Sequence, residues 1–213
     1  MSLPPDGSTA VREPAEPPTT LGAEGRALLF TEAHTAYAFD PAPLSDAQLH
    51  EIAELARWPP TSGNINPLRL LFVRTEEAKR RLLPHLNAHN RRKSLSAPVV
   101  AILAVDVDFH ELMPRLFPPN PSVRDTLAAN RTERNRLAQF NGALQAGYFI
   151  LAVRAAGFAA GPMGGFDHAG VDLEFFSGSA WRSILVVNIG LPGEGGWRER
   201  LPRLDHDQFV RYA

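Results

Sequence analysis

The run Trp58-Pro59-Pro60-Thr61-Ser62-Gly63-Asn64-Ile65-Asn66-Pro67, followed at once by Leu68-Arg69-Leu70-Leu71-Phe72-Val73, constrains the fold of this chain more than any other stretch. Adjacent prolines lack the N–H that a helix needs, so the helix before them must stop. That helix has a marked start. Ser45 and Gln48 form an S-x-x-Q capping box, with Leu44 and Leu49 at the positions of a hydrophobic staple. Leu49, Ile52, Ala53 and Ala56 then fall on one face. After Pro67 the apolar run Leu68 to Val73, broken only by Arg69, returns to the core as a strand. Between helix and strand lie hydroxyl, amide and backbone groups that stabilise no core and suit a planar ligand with a polar edge.

The remaining elements set the fold class. Gly25 to Ala36 reads as a first helix with Leu28, Leu29 and Ala33 on one side. Thr75 caps a helix carrying the i,i+4 pairs Glu76–Arg80 and Glu77–Arg81. Val99 to Val105 is a buried strand. Residues 106–130, rich in Phe, Pro and Arg without a clean period, read as an insertion over the core. Leu137 to Ala156 is the longest helix, apolar nearly all round from Tyr148 to Val153, with Gly157 as its C-terminal cap. Phe158 to Met163 and Ile184 to Ile189 supply two more strands, and Asp205 with Gln208 opens a short last helix. Helices and strands cluster rather than alternate strictly, which favours an α+β fold.

Composition narrows the function classes. A chain of 213 residues can bury a full core. Its net charge of −1 gives no reason to expect nucleic acid or an anionic membrane as partner. The absence of cysteine excludes a disulfide framework, a thiolate nucleophile and thiolate-ligated metal, and agrees with a reducing, cytoplasmic setting. No apolar run reaches the ~18 residues of a bilayer span. Residues 1–25, with Pro4, Pro5, Pro14, Pro17 and Pro18 and few large apolar side chains, read as a disordered arm ahead of a single domain, residues 26–213. The competing reading is an arm that wraps a partner subunit.

There is no G-x-x-x-x-G-K-[ST], no G-x-G-x-x-G after a strand and no G-x-S-x-G. His85 and His89, four apart on an expected helix, lack a third ligand and read as a solvated face, with no metal site assigned. Arg91-Arg92-Lys93 reads as a surface turn. Gly161-Pro162-Met163-Gly164-Gly165-Phe166-Asp167 closes a strand and precedes a helix that Asp167 can cap. Taken alone it is equally a tight turn or a place where backbone N–H groups meet a ring nitrogen or an anion. Arg198, Arg200 and Arg203 can hold a phosphate or simply solvate a surface.

Together these residues resemble the nitroreductase superfamily of FMN-dependent oxidoreductases, and within it the malonic semialdehyde reductases of pyrimidine catabolism. The resemblance runs from Leu29 to about Gln208. It rests on Leu29-Phe30-Thr31-Glu32-Ala33, Trp58, Pro60-Thr61-Ser62-x-Asn64-x-x-Pro67 and Phe72-Val73-Arg74-Thr75. It continues through Gly161 to Asp167, Asn188-Ile189-Gly190 and Arg200-Leu201-Pro202-Arg203-Leu204. It implies a mostly antiparallel central sheet flanked by helices, and a homodimer with two flavin sites at the subunit interface. By the same resemblance Ser62, Asn64 and Asn66 would contact the isoalloxazine ring. Pro162, Met163, Gly164 and Gly165 would lie over it, and Arg200 with Arg198 or Arg203 would hold the FMN phosphate. Where the family carries Ala-Arg-Thr-His, this chain has Ala33-His34-Thr35-Ala36, so His34 and Thr35 take that place. Arg26 is a conceivable substitute for the missing guanidinium.

The implied reaction is ping-pong: NAD(P)H reduces the flavin, leaves, and a small acceptor is reduced in its place. Residues Phe109 to Phe117, with His110 and Arg115, either line the acceptor pocket or pack. An aldehyde acid such as malonic semialdehyde calls for an arginine, for which Arg69, Arg115 and Arg124 are equal candidates. The alternatives are a general nitro, quinone or enone reductase with the same flavin, and a non-catalytic flavin-binding or scaffold homodimer.

Overall fold

The computed structural model describes residues 20–213. Residues 1–19 of the proline-rich arm lie outside the described residues, and Ala23 to Gly25, at its end, belong to the first helix. That helix, α1 (Ala23–Arg26), continues as a wider turn over Ala27–Thr31 and ends there rather than at Ala36. The Glu32 N–H reaches back to the Ala27 carbonyl, and then the chain unwinds. Ala36 N–H donates instead to the Ala160 carbonyl and Tyr37 N–H to that of Gly196. Tertiary partners take the hydrogen bonds that a longer helix would have used.

α2 (Asp46–Ala56) has the expected capping box, and both staple residues are buried. Four strands form one antiparallel sheet among the described residues: β1 (Leu68–Val73), β2 (Val99–Asp106), β3 (Ala159–Met163) and β4 (Trp181–Gly190), in the order β1-β2-β4-β3. β2 is buried on both faces, which is why it reads as an unbroken apolar run. Its side chains alternate between two layers. Val100, Ile102 and Ala104 pack with Leu82, Leu86 and Phe176. Val99, Ala101 and Leu103 pack with Ile52, Phe149 and Val153. The first layer belongs to α3 (Glu76–Leu82), α4 (Ala88–Ser96) and α8 (His168–Phe176). The second belongs to α2 and to α7 (Arg131–Ala155), preceded by the short α5 (Met113–Leu116) and α6 (Val123–Ala129). α9 (His206–Phe209), with its Asp205–Gln208 capping box, follows the sheet.

α7 starts at Arg131, not Leu137, because Asn130 Oδ1 accepts from the Glu133 N–H and caps a polar first turn that carries no apolar period. It ends as expected, with Gly157 N–H donating to the Arg154 carbonyl and Phe158 N–H to that of Val153. The helix runs so close to β2 that a Cβ at Gly142 would collide with Val105. Its all-round burial does not hold: Phe140, Leu144 and Tyr148 are 56%, 44% and 46% exposed along one stripe.

Other expectations are also corrected. Glu76 pairs with Lys79, and Arg81 reaches Glu174 on α8, so neither i,i+4 pair forms. His85 sits in a short turn of helix before α4 and His89 within α4, so they do not share a helix. Arg91-Arg92-Lys93 is helical, with Arg91 donating to the Leu86 and Pro84 carbonyls. Within 106–130, Phe109, Met113 and Leu127 close a third core cluster, so Phe109 and Met113 pack rather than line a pocket. Among the described residues no helix is long and apolar enough to cross a membrane.

Candidate functional site

The Pro60–Pro67 loop is held by side chains reaching out of the core. Ser62 N–H donates to Oδ1 of the fully buried Asn141 at 2.8 Å, and Leu68 N–H donates to Gln145 Oε1 at 3.0 Å, so α7 grips both ends of the loop. Thr61 Oγ1 accepts from the Asn66 N–H. Gly63, Asn64 and Asn66 have φ of 56°, 55° and 41°, left-handed positions that Gly and Asn tolerate and β-branched residues do not, while Ile65 between them keeps a right-handed backbone. Asn64 Nδ2 donates to the Leu116 carbonyl at 2.8 Å, and Asn66 Nδ2 to both Asn64 oxygens at 2.7 Å. The two amides therefore first fix the loop. Among the described residues one Asn64 N–H, Asn66 Oδ1 and the Ser62 hydroxyl have no hydrogen-bond partner.

A second assembly lies at the other end of α7. A cleft of about 330 Å³ is lined by His34 and Thr35 from the loop after the first helix, by Arg154 from the last turn of α7, and by Arg198, Arg200 and Arg203. Tyr37 and Glu199 complete its polar walls. The Arg198 guanidinium stacks on the Tyr37 ring at 3.9 Å, and Lys93 Nζ lies 5.3 Å from the same ring centroid. Burial, and then the Arg198 charge, hold the Lys93 ammonium below its ordinary range. Arg200 is tied back by donating to the Thr31 and Ala33 carbonyls at 2.6 and 3.1 Å. Four arginines against one lining carboxylate leave an excess of positive charge suited to an anion.

The glycine turn after β3 is connected to the Tyr37 wall of this cleft through α4: Asn90 Nδ2 is 3.5 Å from the Gly165 carbonyl, and one turn on, Lys93 faces the Tyr37 ring. Gly164 and Gly165 are exposed, whereas Met163 is 4% exposed and its sulfur packs with Ser94 and Asn188. Met163 can therefore offer a ligand its backbone but not its side chain. Asp167 caps α8 as expected, accepting from the Gly170 N–H.

The structure thus unites His34, Thr35, Arg198, Arg200 and Arg203 in one cleft, links the Gly164-Gly165 turn to it through α4 without placing Pro162 to Gly165 in its lining, and keeps Ser62, Asn64 and Asn66 apart. At ~1.5 Å per residue, Asn141 and Arg154 are about 20 Å apart along α7. Arg26 does not line the cleft; Arg154 does. The sequence signal for Arg154 was its charge inside the apolar run of α7, and Tyr37 had none beyond its place after Thr35. Among the three arginines considered for a carboxylate, Arg69 is bound to Asp106 at 2.8 Å and to two carbonyls. Arg124 is bound to Glu111 and Asp125, both at 2.8 Å. Arg115 is exposed on α5, with no ion pair among the described residues, next to the Leu116 carbonyl that holds Asn64.

Comparison with known proteins adds an independent line. The family model described as Nitroreductase family matches residues 31–191. A Streptomyces coelicolor protein, provisionally named NADH dehydrogenase/NAD(P)H nitroreductase, is 55% identical over 193 residues, covering 91% of this chain and 96% of that protein. Among solved structures, the nitroreductase ydfN of Bacillus subtilis, also provisionally named, superposes with a TM-score of 0.78 at 22% identity, covering 90% of this chain and 99% of that one. A provisionally named Exiguobacterium sibiricum nitroreductase, solved in complex with FMN, gives 0.75 at 17% identity, covering 92% and 100%. At these identities the two structures speak for the fold.

Proposed function

The chain belongs to the nitroreductase family, and on that premise we propose that it is an FMN-dependent NAD(P)H oxidoreductase, a homodimer whose active sites are each shared between two copies. One observation carries this reading: the polar loop and the basic cleft lie at opposite ends of an exposed apolar stripe on α7, too far apart to serve one ring within one chain. A two-fold axis near Gly147, where nothing lies within 4 Å of a would-be Cβ, would set the loop of one copy opposite the cleft of the other. Phe140, Leu144 and Tyr148 would bury each other's apolar area in the same contact.

The donor set fits FMN, which combines a dianionic phosphate with a flat ring bearing a polar edge. Arg198, Arg200 and Arg203, with His34 and Thr35, would hold the phosphate by charge-assisted hydrogen bonds. Gly164 and Gly165, bare of side chains, would let the ring approach backbone N–H groups. The remaining Asn64 N–H, Asn66 Oδ1 and Ser62 hydroxyl of the second copy would meet its polar edge. When bound, FMN takes up a hydride from NAD(P)H and delivers it to the acceptor, chemistry that belongs to the cofactor. The protein's part is orientation: the loop is fixed before any ligand arrives, so its dipoles need not reorganise.

For the acceptor, the finer reading is malonic semialdehyde reduced to 3-hydroxypropionate. Arg115 favours a carboxylate-bearing small molecule, because its guanidinium is the one of the three candidates not already neutralised. Arg115→Gln should then raise KM for a semialdehyde acid and leave KM for a neutral quinone or nitroarene unchanged; equal effects on both would favour the general reductase. A cytoplasmic location is part of the same proposal.

An anaerobic absorption spectrum tests the core of it. The expected protein is yellow with FMN, bleaches on NADH or NADPH, and elutes as a dimer that Leu144→Glu splits. A colourless protein that stays so after reconstitution would leave only a scaffold.

A further inference from the structure

We propose that Arg154 is a phosphate-binding residue, the shielded guanidinium that together with Arg200 receives the terminal phosphate of the flavin nucleotide. The proposal deepens the FMN reading and rests on it.

Arg154 differs from every other cation of the cleft. Arg198, Arg200 and Arg203 are exposed, while Arg154 is partly buried in the last turn of α7, amid a run of apolar residues. Holding a guanidinium there costs solvation, which a protein normally offsets with a carboxylate. Among the described residues none is bound: Glu199 lines the same cleft and Glu32 the adjoining 220 Å³ cavity that Arg154 also borders, yet neither makes an ion pair with it. Among the described residues its one side-chain hydrogen bond, to the Leu29 carbonyl, is 3.4 Å long. Most of its five N–H donors are therefore unspent.

A favourable interaction with the end of the helix dipole would be the plainer explanation. The guanidinium nevertheless donates to the Leu29 carbonyl of the first helical segment and lines the cleft that His34 also lines. There it meets a second cation. Burial, and then the charge of Arg200, press the Arg154 proton affinity below that of an ordinary arginine. Two guanidinium groups held together without a counter-ion become mutually favourable only when an anion joins them. A phosphate offers two charges and oxygens spaced for paired donors. His34 and Thr35 line the same space and can supply neutral donors. In this chain the arginine absent from position 34 is thus replaced from the far end of a different helix.

The test compares two flavins that differ only by the phosphate. Full-length protein stripped of flavin is titrated with FMN and with riboflavin, following flavin fluorescence, for wild type, Arg154→Gln and Arg154→Lys. Arg154→Gln should weaken FMN about 10- to 100-fold and leave riboflavin unchanged, with Arg154→Lys in between. An unchanged FMN affinity, or an equal loss for both flavins, would overturn the assignment. If Arg154→Gln does not fold, Arg154→Lys carries the comparison, because it retains charge while losing the fork. Inorganic phosphate gives a flavin-free readout: it should raise the thermal midpoint of the stripped wild type and not that of the variants. Should wild type bind no FMN yet be stabilised by phosphate through Arg154, the FMN reading fails and the anion site stands. No phosphate stabilisation together with unaltered FMN binding in the variants would remove both roles of Arg154 while leaving the FMN reading intact.

Discussion

The two ends of α7 solve the same problem, presenting polar groups to a ligand, in opposite ways. The Pro60–Pro67 loop is a short, continuous segment whose own amides, hydroxyl and left-handed backbone are tied to each other and to Asn141 and Gln145. The basic cleft is assembled from three stretches far apart in sequence, residues 33–37, Arg154 and 198–203. Its arginines are held by backbone carbonyls and the Tyr37 ring, with no ion pair among the described residues. The loop is shaped by satisfied hydrogen bonds; the cleft keeps its charges without a carboxylate partner. Substitutions in the loop should therefore act on stability first and ligand binding second, and those in the cleft should do the reverse.

The largest expected effect is at Asn141, which is fully buried, accepts from Ser62 N–H and donates to the Leu137 carbonyl at 2.9 Å. Asn141→Leu has similar bulk but strands the Ser62 N–H, at about 1–3 kcal/mol. The stripped protein should melt several degrees lower at fixed concentration, measured by calorimetry. A midpoint equal to that of wild type would show that the loop is not preset by α7.

Asn64→Val comes next. A β-branched residue at a φ of 55° costs about 1–2 kcal/mol, and the contact to the Leu116 carbonyl is lost as well. Asn64→Gly removes the same contact but accepts the backbone, so it should be the milder of the two in urea unfolding. If the two variants are equally unstable, the side-chain bond rather than the left-handed turn governs the loop.

This contrast also explains what could be read from the chain. The Ser45–Gln48 box, the Leu68 and Val99 strand starts, the Gly157 cap and the loop itself are local: each depends on residues within a few positions, and the structure keeps them. Several of the failures are long-range. Glu77 and Arg81 have the spacing of a helical pair, but Glu174, 93 residues from Arg81, offers the better partner. Gly25 to Ala36 has an adequate helical pattern, but Ala160 and Gly196 claim the backbone N–H groups of Ala36 and Tyr37. Arg198, Arg200 and Arg203 were visible as a cluster, whereas Arg154 was not, since only the packing of α7 against the first helix brings it to them. Tyr148 was assigned to the core because its neighbours are apolar, and the same apolarity marks the face left uncovered.

A pH effect should separate the halves further. His110 is buried beside the α5 segment that supports Asn64, with its Nδ1 lacking a partner among the described residues and Nε2 3.2 Å from Glu111 Oε1. Burial, then the Arg134 charge, lowers its proton affinity; Arg124 adds to this while Glu111 and Asp108 oppose it. A lowered folded-state pKa means that the unfolded chain binds the proton first. Stability is therefore unaffected above the ordinary histidine range and falls as pH drops below it. One proton can give a slope of at most about 1.4 kcal/mol per pH unit. His110→Gln should flatten the decline in thermal midpoint between pH 7.5 and 5.5, while Arg200→Gln, on the cleft side, should leave its slope unchanged.

The smallest effect on stability should come from Arg198→Gln, and it is the sharpest test of the comparison. Arg198 is exposed and stacks on Tyr37, an interaction worth about 0.5–1 kcal/mol at such a site. Its removal also relieves Lys93, whose ammonium faces the same ring and is disfavoured by the Arg198 charge after burial. The two changes oppose each other, so the stripped protein should melt within about 0.5 kcal/mol of wild type. On the proposed reading, in which Arg198 meets the FMN phosphate, FMN affinity should nonetheless fall about tenfold through loss of a charge-assisted contact. Fluorescence titration and calorimetry on one preparation read both quantities. A stability loss as large as that of Asn141→Leu would mean that the cleft, like the loop, is held together by its own residues rather than kept open for a ligand.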